Sequence, residues 1–548
     1  KVYLLLPIFL LLSLFLPWAP GGETWGYWAF SRITLESGLF VISDRSPLYT
    51  LYLIPYQFLE YPLSITLEYL ITTLIVLISI FIFSKGFVGK KWSILICFLW
   101  LPFVQASSPP VQKLALACSL FAMILRQKGN RNNLSLSYTL LFMAYMFRST
   151  YIILLVLFIF WDSYLFYWKN NKLSFLKKLT PRFSDLPLFL VITLFFSFVF
   201  LQSPHIWNNA QFTNTIWFPG ESGLLNSSFI HSFNILFIAE KYGNEGFLVH
   251  DFYLTNQNLF NGAETIWAAI RENPSFVMSH IFQNVPWIIN LIIRFTGFLP
   301  YTIIDSVLIF ILGLCGLVMI LLKLKDAGLK VFIIGNILML ATLVLTLPRS
   351  RYFFPLIPLF IISSSWLIPQ LKLFVSRFEI TSRYKKFIFG FSSFLVLTLL
   401  SPSVSTSWLG NASSVLSNIS KFRVMESSSG INPHLSKIES TFESCKGIMA
   451  LEHSFLAGYT NLPLDLIVDI WEIPPFGSYQ KDQSSYDGLV PERINCLLIS
   501  DELTTTKGIG SNVKLRYDNY ILPYIDILEK MGAKKVQLEN FGYTIVLE

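Results

Sequence analysis

The run Ile71-Thr72-Thr73-Leu74-Ile75-Val76-Leu77-Ile78-Ser79-Ile80-Phe81-Ile82-Phe83-Ser84 has no charged side chain, and extended back to Pro62 it holds only one, Glu68. As a helix, residues 62–84 are long enough to cross a hydrocarbon layer, which needs about 20 apolar residues. The run is not isolated: residues 2–19 and 186–200 are equally free of charge. Across the 548 residues, 53% are hydrophobic and only 14% charged, where a soluble domain carries about 25% charged residues. An excess of that size does not fit inside one water-soluble core. A soluble enzyme, a disordered chain and a disulfide scaffold are excluded together.

Working outward by hydropathy, spans fall near 2–19, 62–84, 92–106, 110–125, 134–147, 149–167, 186–202, 303–322, 329–347, 352–371 and 387–402. The expected fold class is therefore a polytopic α-helical membrane protein with about eleven transmembrane helices and a C-terminal extracytoplasmic α/β domain. The run at 2–19 reads as a first span rather than a cleaved signal peptide. Residues 286–300 are apolar but short, interrupted by Arg294 and closed by Pro300, and read as an interfacial or re-entrant helix.

The net charge of +8 would suit a nucleic-acid partner until the charges are placed. Lys85, Lys90, Lys91, Arg126, Lys128 and Arg131 fall in the first loops on one side, with further clusters at 169–182, 323–330 and 372–386. About 20 of the 41 basic residues gather there, whereas residues 203–285 hold only Lys241 and Arg271 against six acids. Basic residues accumulate on the cytoplasmic side of a membrane. The bias puts the N-terminus inside and the C-terminus outside, as in a bacterial inner (plasma) membrane. It makes the lipid bilayer, not nucleic acid, the partner that the charge reports.

Residues 1–402 form the membrane module, with outer loops at 20–61 and 203–302, and residues 403–548 a soluble domain outside the membrane. In that domain Gly447–Glu452 and Cys496–Ser500 read as short buried strands, and Asn519–Met531 as a helix stopped by Gly532. Strands at Lys535–Glu539 and Tyr543–Leu547 flank the hairpin signature Asn540-Phe541-Gly542. The five cysteines have no framework spacing. Cys445 and Cys496 are expected as two buried thiols, although an oxidising compartment would permit a bond.

The first outer loop is the most informative stretch. It reads Gly22-Glu23-Thr24-Trp25-Gly26-Tyr27-Trp28-Ala29-Phe30-Ser31-Arg32, then Asp44-Arg45-Ser46-Pro47-Leu48-Tyr49. A second informative stretch is Pro348-Arg349-Ser350-Arg351-Tyr352-Phe353-Phe354-Pro355, at the outer end of a late span. Together these resemble the C-type (GT-C) glycosyltransferases, in the branch of lipid A aminoarabinose transferases and protein O-mannosyltransferases. In that branch an Asp-Glu pair opens the first outer loop, a Tyr follows, a Pro-Pro-Leu-Tyr-like run closes it, and an Arg-Tyr stands at a late outer helix end. Glu23 takes the place of the first loop acid and Tyr27 that of its Tyr, while Thr24 stands where the second acid would be. The resemblance implies a polyprenyl-phosphate-linked sugar donor, a glycan, lipid or protein acceptor, and no cofactor.

The chemistry of sugar transfer needs a base for the acceptor proton and cations for the departing phosphate. Glu23 is the candidate base, with Asp44 behind it. Arginine suits phosphate because its planar fork offers paired donors; the candidates are Arg351, Arg349, Arg148 and Lys113, with Tyr27, Arg32 and Tyr352 beside them. Glu68 and Asp162 lie in apolar spans, where pairing with a buried cation is the expected arrangement. His205, His231, His250 and His280 have no metal-site spacing. Two other readings share the architecture: a polymerase or ligase taking glycan from a diphosphate carrier, and a transporter or flippase.

Overall fold

The structure, a computed structural model, describes residues 22–37, 46–59, 63–106, 110–128, 131–169, 259–295 without 262, 264 and 265, 326–342, 353–378, 381–400, 434–450, 456, 460, 462–463, 466–469, 490–500, 517–539 and 541–547. The spans expected at 2–19, 186–202 and 303–322 lie outside these residues.

The first outer loop folds into two helices, α1 (Gly22–Ser37) and α2 (Pro47–Leu53), followed by a 3-10 turn over Ile54–Phe58. The bundle follows as α3 (Leu63–Val88), α4 (Lys90–Ala106), α5 (Val111–Gln127), α6 (Arg131–Phe147) and α7 (Ile152–Lys169). Next come α8 (Ile266–Glu272), α9 (Pro274–Phe295), α10 (Ala327–Ala341), α11 (Leu356–Ser376) and α12 (Ser382–Leu400). This is a polytopic, helical membrane fold. Among the described residues, α3 and α11 are individually long and apolar enough to cross a bilayer, and α6, α7 and α10 contain shorter apolar stretches. One apolar core, from Val76 and Leu77 of α3 through Leu116 of α5 to Phe332 of α10 and Ile361 of α11, runs through the bundle. Where α10 meets α7, a Cβ on Gly335 would come 2.3 Å from Leu154 Cδ2, so the missing side chain is what allows the close approach.

The segment read as a short interfacial helix at 286–300 begins earlier than its hydropathy implies. α9 runs unbroken from Pro274 to Phe295, through Pro286. Its start is locally coded: Asn273 Oδ1 accepts from the Phe276 N–H at 3.2 Å, and Pro274 is the first helical residue.

Asp162 is paired with a cation, as its apolar setting implied. Arg126, near the end of α5, donates to both carboxylate oxygens at 2.7 and 2.6 Å, Tyr138 of α6 donates to Oδ2, and the guanidinium stands 4.1 Å from the Phe158 ring centre. Removing one partner of this part-buried pair leaves the other charge uncompensated in an apolar setting. Asp162→Asn is expected to lower the stability of the detergent-solubilised protein by about 3 kcal/mol, whereas the joint change Arg126→Met with Asp162→Leu is expected to melt close to the unaltered protein. Equal melting of the single and double variants would show that the pair holds nothing together.

The C-terminal domain is a mixed five-stranded sheet, order β2-β1-β3-β5-β4. Its elements are α13 (Leu435–Phe442), β1 (Ile448–Ala450), β2 (Ile467–Asp469), β3 (Cys496–Ser500), α14 (Leu522–Lys530), β4 (Lys534–Leu538) and β5 (Gly542–Val546). β1 is parallel to β2 and β3, and β5 is antiparallel to β3 and β4. Strand alternation sends Leu497 and Ile499 to the face covered by Ile525 and Leu528 of α14. Cys496 and Leu498 face Ile438 and Phe442 of α13. The hairpin is built as its turn signature implies, with Leu538 opposite Gly542. Gly542 has φ +146°, and a Cβ there would lie 2.0 Å from Ile499 O, so no other residue fits.

The expectation of two separate thiols is corrected: Cys445 and Cys496 form a disulfide, with Cα atoms 5.9 Å apart. The reason is register. Cys496 pairs with Ile448 across the parallel β1–β3 ladder, which brings the residue three positions before Ile448 within bonding reach.

Candidate functional site

The Arg45-Ser46-Pro47-Leu48-Tyr49 run folds as its composition dictates. Ser46 caps α2, its Oγ accepting the Tyr49 N–H at 3.3 Å, and Pro47 occupies the first helical position. The same hydroxyl donates to Met146 O at 2.8 Å, which pins α2 to the C-terminal end of α6. Tyr27 of α1 is 5% exposed; its hydroxyl accepts the Ser46 N–H at 3.3 Å and its ring meets Tyr49 edge-on at 5.0 Å. Gln57 Nε2 donates to Trp28 O at 3.1 Å and ties the 3-10 turn to α1. The described parts of the first loop therefore pack against the start of α3 and the end of α6.

Beneath it is a cluster of buried polar groups. Glu68, in the second turn of α3, is fully buried. Its Oε1 accepts from Tyr49 Oη at 3.2 Å and from Thr72 Oγ1 at 2.8 Å, and Oε2 has no hydrogen-bond partner among the described residues. Thr72 Oγ1 lies 3.0 Å from Tyr52 Oη, and Tyr56 donates to Tyr52 at 3.0 Å. Since the Thr72 proton is directed to Glu68, Tyr52 donates to Thr72, and every proton in the chain Tyr56, Tyr52, Thr72 points toward the carboxylate. Lys113, at the start of α5, is also fully buried, and its Nζ stands 4.5 Å over the Tyr69 ring of α3. Gln112, beside it, is 3% exposed, and neither of its amide atoms has a partner among the described residues.

Arg148 follows α6 and is half-buried. The next turn carries Tyr151, which is 2% exposed. Lys113, Arg148 and Tyr27 of the predicted site residues thus converge on one end of the bundle. Glu23 is in the first turn of α1, four residues before Tyr27. Arg32 is placed elsewhere: its Nε pairs with Glu36 at 2.5 Å, Nη2 donates to Leu462 O at 2.8 Å and Nη1 to Thr460 O. It fastens α1 to the C-terminal domain rather than joining the cluster. Asp44, Arg349, Arg351 and Tyr352 lie outside the described residues.

Sequence reasoning missed Tyr49, Tyr52 and Tyr56 as a group, as well as Gln112 and Tyr151. A signal for the tyrosines exists, because offsets of three and four residues put side chains on one helical face. Gln112 and Tyr151 carry none, since only their burial against neighbouring helices makes them notable. His280 of α9, set aside as a metal ligand, pairs with Asn284 at 2.9 Å.

No protein-family profile and no curated protein matches the sequence. Among solved structures, the chain is similar to the crystal structure of ArnT from Cupriavidus metallidurans bound to undecaprenyl phosphate. The TM-score is 0.50 at 10% identity, covering 99% of this chain and 97% of that one. The structure of the same ArnT in the apo state aligns with TM-score 0.48 and 10% identity over 99% and 96% of the two chains. The likeness to a GT-C enzyme expected from the first loop is thus met at the level of the fold, over nearly the full length of both proteins.

Proposed function

We propose that this chain is a membrane glycosyltransferase that moves a sugar from a polyprenyl-phosphate carrier to a glycan, lipid or protein acceptor at the outer face of the membrane. The observation that carries the reading is Lys113. A fully buried lysine stands at the start of α5, over the Tyr69 ring of α3, in a chain sharing its fold with an ArnT bound to undecaprenyl phosphate. Residues 1–402 are the catalytic membrane module and 403–548 an extracytoplasmic domain. The basic bias of the opposite loops favours that orientation, and the Cys445–Cys496 disulfide favours an oxidising compartment for the tail.

In this mechanism the acceptor hydroxyl attacks the anomeric carbon as the bond to the phosphate oxygen breaks, with inversion. Glu23 takes the hydroxyl proton, and the polyprenyl phosphate leaves with the bonding electron pair. Lys113 and Arg148, with Arg349 and Arg351, stabilise the negative charge on the leaving phosphate. Tyr27 and Tyr352 line the donor site.

The test is transfer from radiolabelled polyprenyl-phosphate sugars by the purified protein in the presence of membrane extract, read as a labelled acceptor. Arg148→Gln is expected to raise the KM for donor about tenfold, the loss of one charge-assisted contact, with melting unchanged. Label passing only from a diphosphate-linked glycan would replace this reading with that of a polymerase or ligase.

A further inference from the structure

Arg32 joins two parts of the chain that lie 428 and 430 residues apart. Its Nη1 donates to Thr460 O, its Nη2 donates to Leu462 O at 2.8 Å, and Glu36, one turn further along α1, accepts from Nε at 2.5 Å. Arginine offers its N–H donors in a fixed fork, and here three different nitrogens meet three acceptors. Glu36 is 48% exposed, and an ion pair of that kind contributes little to stability. The contacts that cross to the tail are the charge-assisted bonds to the two carbonyls.

Those carbonyls are fixed by the tail's own core. Thr460 and Leu462 are each 4% exposed and lie in the crossover from β1 to β2. The Thr460 N–H and hydroxyl both donate to Leu456 O, at 3.1 and 2.6 Å, and the same hydroxyl accepts the Leu462 N–H at 3.4 Å. Leu456 and Leu462 pack in one cluster with Ile438, Phe442, Cys445 and Cys496, the last two joined by the disulfide. On the other side of the contact, α1 carries Glu23 nine residues before Arg32, about 13.5 Å along the axis. It also carries Tyr27, whose hydroxyl holds the Ser46 N–H. An unbroken series of contacts therefore runs from the disulfide to the helix of the candidate base.

We propose that Arg32 is a positioning residue that transmits the folded state of the C-terminal domain to α1, so that the helix carrying Glu23 keeps its place only while the disulfide-held tail is folded. The catalytic consequence rests on the reading of Glu23 as the base; the coupling of the two elements does not. Reduction of the Cys445–Cys496 bond then lowers transfer at a distance, through the crossover, its two carbonyls and the guanidinium.

The measurement is hydrogen exchange of the full-length protein in detergent, followed with temperature in residues 30–37 and in β3, since amides exchange when their element opens. In the unaltered chain the two segments are expected to open at one midpoint, which reduction of the disulfide lowers for both. Arg32→Gln should make residues 30–37 open below the tail and stop following it when the disulfide is reduced. Arg32→Lys puts a point charge where a fork met three acceptors, and should fall between the two. Thr460→Val loosens the same contact from the tail side, which keeps the test open if Arg32→Gln does not fold. Combining Thr460→Val with Arg32→Gln should add nothing in residues 30–37. In the transfer assay, Arg32→Gln and reduction should each lower kcat several-fold, and reduction should lower that of the variant no further.

Independent opening of residues 30–37 and β3 in the unaltered chain overturns the coupling. So does an Arg32→Gln protein in which the two segments still open together, or a double variant whose effects sum. A kcat untouched by Arg32→Gln, in a chain that does transfer sugar, overturns the positioning role. Coupled exchange without any transfer by the unaltered chain upholds the link between tail and α1 and removes the transferase reading instead.

Discussion

Glu23→Gln is expected to lower sugar transfer by roughly 10²- to 10⁴-fold, the usual contribution of a positioned general base, and to leave folding intact. The amide has the shape of the carboxyl group but cannot take a proton from the acceptor hydroxyl. Glu23 stands in the first turn of α1, where loss of its charge removes only about 0.3–1 kcal/mol of interaction with the helix dipole. A melting temperature near that of the unaltered protein, with donor KM unchanged and kcat collapsed, is the pattern that identifies a base. Thr24 follows Glu23 in the chain and is not an acid, so the loss should not be buffered by an adjacent carboxylate. Full transfer by Glu23→Gln would pass the role to Asp44.

The second large effect is on the C-terminal domain. Cys445 and Cys496 close a loop across a sequence separation of 51. By the chain-entropy account, a loop of that length contributes about 4 kcal/mol through restriction of the unfolded chain. That is a large share of the ~5–15 kcal/mol that holds an ordinary domain folded. Cys445→Ser is expected to lower the melting temperature of this domain by more than ten degrees and to expose it to protease. A reducing agent should do the same to the unaltered chain and nothing further to the variant. The bond also tests sidedness. In intact cells the two sulfurs should resist a thiol reagent until reductant is added, then react with one that cannot cross the membrane. Free thiols protected from the impermeant reagent would put the tail on the cytoplasmic side.

Much of the architecture was legible because its signals are local. The charge-free run Ile71–Ser84 is helix α3 in the bundle, since a run that apolar must be shielded from water as a unit. Ser46-Pro47 starts α2, and β4 and β5 close a hairpin with Leu538 opposite Gly542, because caps and turns depend on the φ preferences and side-chain oxygens of adjacent residues. Gly532, with φ +96°, ends the helical stretch at α14 as expected. The start of α9 at Asn273-Pro274 carries the same kind of signal, which hydropathy does not register. β2 gave no usable signal, being three residues long and stabilised by its neighbour β1.

The functional reading divides along the same line. Residue types alone mark Glu68 and Asp162 as costly in an apolar span and Lys113 as a cation near a span end, and the order of charged loops sets which helix ends share a side. The sequence by itself thus determined that this is a membrane protein and which ionisable residues require a partner. Which partner each one takes was decided only by the tertiary structure. Glu68 takes the hydroxyls of Tyr49 and Thr72, Asp162 takes Arg126, and Arg32 reaches past the cluster to the carbonyls of Thr460 and Leu462. A buried charge is compensated by whatever lies within a few ångströms in space, and that is set by helix register and packing across the bundle, not by distance along the chain.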